Sequence, residues 1–146
     1  MRLGGKAYYR GLYCHAPSRL VVHLPGAGRS FEALVGVDGN DQTSGGRGSV
    51  VFAVRLGEEE VWRSELLREG MAGVPVSVPL NGAREFTLEV GDGGDGIACD
   101  QADWLDARVT LADGGEAWLG DMPIYGRSKA PYDTEPPFSF AYGERP

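Results

Sequence analysis

Apolar and polar residues alternate with a period of two along most of the chain, in short runs broken by glycine, proline and aspartate. Leu20, Val22 and Leu24 alternate with Val21 and His23, and Phe31, Ala33, Val35 and Val37 alternate with Glu32 and Gly36. Val50, Phe52 and Val54 follow, then Val61-Trp62, Val74 to Leu80, Phe86 to Val90, and Ala107 to Leu111. A period of two puts successive side chains on opposite faces of an extended strand. No segment sustains the 3.6-residue spacing of an amphipathic helix. About seven or eight short strands spaced in this way predict an all-β chain folded as an antiparallel β-sandwich. Pro75 and Pro79 lack a ladder donor, which puts their strand at a sheet edge. His23 falls on an outward face as a surface residue, and a last edge strand is expected near 116–119.

Strand parity then sorts the connections. If successive strands run antiparallel, turns alternate between the two ends of the sandwich. The short turns at 25–29, 56–59 and 81–83 fall at one end. The other end receives four longer segments, 12–18, 38–47, 65–73 and 92–104, which carry the chemically unusual residues. Long loops on one rim of a rigid scaffold are where binding sites concentrate.

Composition narrows the partners. With 146 residues and 42% apolar content, the chain is long enough for one hydrophobic core. Its 23 glycines and nine prolines suit a turn-rich β fold better than a bundle. A net charge of −7 with no basic cluster argues against a nucleic-acid backbone or an anionic membrane surface as partner. No apolar run is long enough to span a bilayer, and residues 1–5 carry no signal-peptide core. Residues 1–120 are expected to form the sandwich. Residues 121–146, rich in proline and aromatics, are expected to be a linker or the start of a following domain.

The densest chemistry lies in GDGGDGIACDQADW at 91–104. Asp92, Asp95, Asp100 and Asp103 offer hard oxygens of the kind calcium accepts in irregular shells. Their spacing is not that of an EF-hand, and aspartates in such a segment also cap turns. Zinc is poorly served by two histidines and no paired-cysteine motif. Catalysis finds no nucleophile elbow around Ser18 or Ser49, and Cys14 and His15 are adjacent on an extended segment, so they point to opposite faces. Sugar binding fits better, because the same rim gathers His15, Asn40, Arg47, Gln101, Trp104 and carboxylates. Arg47, set in GGRG, can present its fork of donors unobstructed. Trp104 stands between two readings, a ligand-facing ring and a core plug. Cys14 and Cys99 are compatible with a disulfide, two thiols or metal ligands.

Four stretches, YYRGLYCHAPSRLV (8–21), FEALVGVD (31–38), GGRGSVVFAV (45–54) and LEVGDGGDGIACDQADWLDARV (88–109), resemble the NPCBM family of carbohydrate-binding modules, also called family 51. The likeness runs from about Leu3 to Leu111. It implies a galactose-binding-like jelly roll that is non-catalytic, binds terminal galactose-type sugars through rim loops, and often holds a structural calcium. It implies sugar contacts from His15, Asp38, Arg47, Gln101 and Trp104, with Asp100 bracing the loop and Asp92 and Asp95 as calcium ligands. Gln101 stands where the family usually has histidine, and an N-terminal strand usual in the family has no evident counterpart. Such modules are attached to glycoside hydrolases, so an appended catalytic domain and an extracellular or periplasmic parent protein are expected. A Cys14–Cys99 disulfide across the rim would suit an exported protein. The contrasting reading is a structural sandwich that packs on its own catalytic domain without binding sugar.

Overall fold

A computed structural model of the chain describes residues 1–40, 43, 45, 46, 48–93 and 101–122, together with the backbone of 124, 125 and 138–143. Its strands are β1 (Arg2–Leu3), β2 (Lys6–Ala7), β3 (Gly11–His15), β4 (Ser18–His23), β5 (Gly28–Val37), β6 (Ser49–Leu56) and β7 (Glu59–Arg63). They continue with β8 (Leu67–Arg68), β9 (Val74–Pro79), β10 (Glu85–Gly91), β11 (Gln101–Leu111), β12 (Glu116–Trp118), β13 (Ile124–Tyr125) and β14 (Phe138–Gly143). Among the described residues the only helical element is a single 3-10 turn, Leu119–Asp121.

Two sheets face each other. One runs β13-β14-β4-β10-β6-β7, with β8 also paired to β6. The other runs β12-β11-β5-β9, with β3 also paired to β11. Every pairing is antiparallel except β14 on β4. The proline-bearing strand β9 is the edge its sequence predicts. Within the segment expected as a linker or the start of a following domain, β13 and β14 extend the first sheet.

The alternating residues meet between the sheets. Leu20 and Val22 of β4, Phe52 and Val54 of β6, and Phe86 and Leu88 of β10 face Phe31 and Val35 of β5, Val76 and Val78 of β9, and Val109 of β11. Burial of these side chains supplies the main driving force, on the order of 1.5–3 kcal/mol for each large one. Aromatic rings bridge the two layers. Phe31 lies 5.0 Å from Phe86, centroid to centroid, and Phe52 meets Trp104 edge-on at 5.0 Å. His23, expected on the surface, is partly covered beside Glu85, with Nδ1 3.1 Å from the carboxylate.

Parts of two segments expected as rim loops, 12–15 and 101–104, are strands at the rim instead. Gly11–His15 pairs with Gln101–Leu105, placing Tyr13 opposite Asp103 and His15 opposite Gln101. Above this part of the sheet, on its outer side, lies the β1–β2 hairpin. Gly36 makes room for it: a Cβ there would come within 2.9 Å of the Leu3 side chain. Leu3 is buried as a result.

Candidate functional site

The convergence expected from strand parity is present. The ends of β3, β5 and β10 and the starts of β4, β6 and β11 share one rim, and the backbone N–H of Asp38 donates to the Gln101 carbonyl at 2.8 Å. The opposite end collects the tight turns, where Gly28 donates to Ala83 and Ala112 to Ala27. Asn81 and Gly82, both at positive φ, form one of them.

At the rim, His15 and Gln101 are cross-strand partners. Nδ1 of His15 donates to the Ala16 carbonyl at 2.7 Å, which makes Nε2 the acceptor nitrogen of the neutral ring. Asn40 is the hub: its Nδ2 donates to Asp38 Oδ2 at 2.9 Å and to Gln101 Oε1 at 2.6 Å. Thr43 anchors this residue, accepting the Asn40 N–H at 3.0 Å and donating its hydroxyl to the Asp38 carbonyl. Asp38 and Gln101 are therefore held with little freedom, and 9% and 7% of their surface remains accessible.

Period-two geometry explains the rest. Gln101 and Asp103 point to the outer side of β11, whereas Ala102 and Trp104 point into the core. Trp104 is fully buried against Phe31 and Phe52, so the expectation that it contacts a ligand is corrected: the ring is a core plug. Tyr13, two residues before His15 on the same side of β3, is instead the half-exposed aromatic beside the Asp38 and Asp103 carboxyls. Burial first, then those two carboxyls, pushes its hydroxyl above the ordinary tyrosine range. A cavity of about 400 Å³ opens next to Asp38 and Gly39, lined by Met1, Arg2, Ala7, Tyr8 and the almost fully exposed Tyr9.

Asp38 and Asp103 face each other beneath this surface. Asp38 accepts from the Arg2 N–H at 2.8 Å as well as from Asn40. Burial alone would raise its carboxyl, but the neighbouring Asp103 carboxyl and the hydrogen bonds from Asn40 and the Arg2 amide outweigh that and hold it below the usual value. Asp103 is wholly buried, and no nitrogen donor reaches either of its oxygens. Burial and then Asp38 push it up to about 9.

Cys14 is a free cysteine whose thiol packs toward the core and accepts the Ser18 hydroxyl at 3.4 Å. Burial pushes this thiol up to about 12, which makes it unreactive near neutrality. Cys99, its expected disulfide partner, lies outside the described residues, as do Arg47, Asp95 and Asp100. Gly45, Gly46 and Gly48 around Arg47 all take positive φ, and Gly46 donates to Glu69 at 3.0 Å. Of the two expected calcium ligands Asp92 alone is described. Among the described residues no three acidic, histidine or cysteine side chains gather as a metal cage.

The arrangement presents planar polar groups, held by one another, along a shallow rim. The Asp38–Asp103 carboxyl pair is sealed under the hairpin, where it cannot flank a substrate. Sequence reasoning placed Tyr13 and Asp103 within the rim segments but gave neither a part in sugar binding. The signal for both was the alternation of Gln101, Ala102, Asp103 and Trp104, obscured by the acidic, glycine-rich segment before it. Asn40→Ala removes the donor shared by Asp38 and Gln101. It is expected to cost about 1–3 kcal/mol of stability, measured by urea unfolding at neutral pH. A loss well below that range would mean the loop is held without this hub.

Residues 1–110 match the model of the NPCBM/NEW2 domain. The chain belongs to this family. It is 35% identical to a family 51 carbohydrate-binding module from Clostridium perfringens GH95, whose structure is in complex with methyl-galactose. The two superpose with a TM-score of 0.65 over 73% of this chain and 74% of that one. A second module, CBM51-2 of Clostridium perfringens ZmpB, gives a TM-score of 0.65 at 25% identity, covering 71% of this chain and 22% of that one. Among curated proteins, alpha-1,3-galactosidase B of Akkermansia muciniphila is 34% identical over 122 residues, 82% of this chain. This NPCBM chain corresponds to 15% of that enzyme's length, so the likeness concerns a module and not the whole protein.

Proposed function

We propose that this chain is a non-catalytic carbohydrate-binding module that takes terminal galactose-type sugars on the His15–Gln101 rim and keeps an attached glycoside hydrolase at its glycan. The observation that carries the reading is the preorganised cluster of His15, Gln101, Asn40 and Asp38 on one rim, with the exposed face of Tyr13 close by. Planar amide, imidazole and carboxylate groups match the fixed hydroxyls of a sugar, and a tyrosine face suits its C–H patch. The likeness to the methyl-galactose-bound module supports the sugar class. Arg47, at the centre of the glycine-rich 45–48 segment, supplies a guanidinium fork to adjacent hydroxyls, and Asp100 braces the neighbouring loop. Asp92 and Asp95 hold calcium in this reading, fixing the acidic segment and touching no sugar. Affinity per site is low, and useful retention comes from tethering to the enzyme and from repeated glycan ends. The parent protein acts outside the cell, where such glycans occur.

The test is a glycan array read with and without a calcium chelator, followed by titration of free galactose. Galactose-terminated glycans are expected to bind, and chelation is expected to weaken binding. Arg47→Ala is expected to abolish binding while leaving the Tm nearly unchanged. A large drop in Tm would make Arg47 a scaffold residue, and a blank array would leave the packing-module reading.

A further inference from the structure

We propose that Asp103 is a positioning residue of this rim: as a neutral carboxylic acid it donates its proton to Asp38 and so holds Asp38, Asn40 and Gln101 in their ligand-ready arrangement. The binding part of this inference rests on the sugar reading above; the shared proton does not.

One Asp38 oxygen takes the Arg2 N–H and the other takes Asn40 Nδ2, so each oxygen has a donor that favours the anion and a lone pair left to accept another. Asp103 is completely buried and neither of its oxygens receives a donor from any other group. An ionised Asp103 would be a second buried anion against the first, with nothing to compensate it. A proton on Asp103 resolves both difficulties at once. It removes that charge and supplies Asp38 with a further hydrogen bond.

The surroundings cannot neutralise the pair in another way. From β3, Tyr13 faces it and stays uncharged near neutrality, its hydroxyl being pushed above the ordinary tyrosine range, while Cys14 on the opposite, core side of the strand is kept a neutral thiol by burial. From β5, Gly36 lies opposite Asp103 and brings no charge. From the hairpin side comes the amino group of Met1, which pulls Asp103 down but is outweighed by burial and by Asp38. The consequence passes outward through Asp38 to Asn40 Nδ2 and from there to Gln101 Oε1.

The pH dependence has a definite sign. Asp103 in the folded chain is raised from 3.8 to about 9. Its contribution to stability is complete below the unfolded value and is lost progressively as pH rises through the folded one. Asp38, which is lowered, acts oppositely and loses its contribution as pH falls. The two titrate as a pair.

Three measurements on the whole chain test this, each made in chelator and repeated with calcium: infrared spectra, Tm from pH 5 to 10, and galactose titration. They compare wild type with Asp103→Asn, which keeps a donor toward Asp38, and with Asp103→Ala, which has none. At pH 7 the wild type is expected to show a protonated-carboxyl carbonyl band that Asp103→Asn lacks, and its Tm is expected to fall more steeply between pH 6 and 9. Asp103→Asn is expected to keep galactose affinity within about threefold and to stay flat with pH. Asp103→Ala is expected to lose about tenfold or more, a difference of roughly 1.4 kcal/mol. The proposal is overturned by a missing band with identical Tm slopes, by calcium abolishing the band, or by equal affinities in all three proteins. If nothing binds galactose, the sugar reading falls alone, and the band and the Tm slope still uphold or overturn the shared proton.

Discussion

Trp104→Ala is expected to destabilise the chain by about 3–5 kcal/mol, the cost of emptying a large aromatic site in a closed core. Trp104 has no exposed surface, and its ring sits between Phe31 of its own sheet and Phe52 of the facing one. Removing it takes out the contact that joins the two layers nearest the rim. The void would be lined by Phe31, Phe52 and their neighbours, rigid rings and β-branched side chains that cannot collapse freely. Differential scanning calorimetry should record a Tm drop of roughly 10–20 °C. Trp104→Phe should cost less, since the indole N–H has no acceptor in the core and its loss leaves no unpaired group behind. If the sugar reading holds, Trp104→Phe keeps galactose binding wherever the protein is folded. A variant with normal Tm and abolished binding would return Trp104 to the ligand surface.

Gly11→Ala is expected to cost roughly 3 kcal/mol or more, the sum of backbone strain and overpacking. Gly11 adopts φ 144, a conformation that L side chains rarely take. A Cβ there would come within 2.3 Å of the Trp104 carbonyl oxygen and 2.9 Å of the Leu105 Cα. Both are backbone atoms of β11, so neither can swing aside as a flexible side-chain tip would. Relief requires β3 to pull away from β11, which loosens the pairing that places His15 opposite Gln101. Loss of stability and weakened galactose binding should therefore appear together. Hydrogen exchange should show faster exchange at Tyr13 of β3 and Asp103 of β11 than along the remainder of β11. Wild-type protection across β3 would show that the strand absorbs the methyl group by a local shift.

Both predictions concern one strand, β11, and that strand marks the boundary of what the chain reveals before folding. The strands β4, β5, β6, β9 and β10 are legible because their apolar positions alternate cleanly and their turns carry glycine, proline or asparagine. The edge position of β9 follows from its prolines for the same local reason. Strand β3 was obscured because its residues lack a clean apolar face, with Tyr13 and His15 on one side and Leu12 and Cys14 on the other. The start of β11 was obscured because Gly91 to Asp100 has the composition of a loop, and that character was carried on through Trp104.

Local sequence determined which segments become strands and, through their antiparallel order, which connections share a rim. That much follows from the two-residue repeat and from turn chemistry, both properties of a few neighbouring residues. Whether Trp104 meets water or core, and whether Asp103 is an exposed anion or a buried acid, was decided only by tertiary structure. Alternation separates the two faces of a strand but does not say what covers each. Here the facing sheet closes over Trp104, and a two-stranded hairpin about a hundred residues away in sequence seals Asp103 against Asp38. The proton balance of that carboxyl depends on the solvent the hairpin excludes, which no local pattern around Asp103 records.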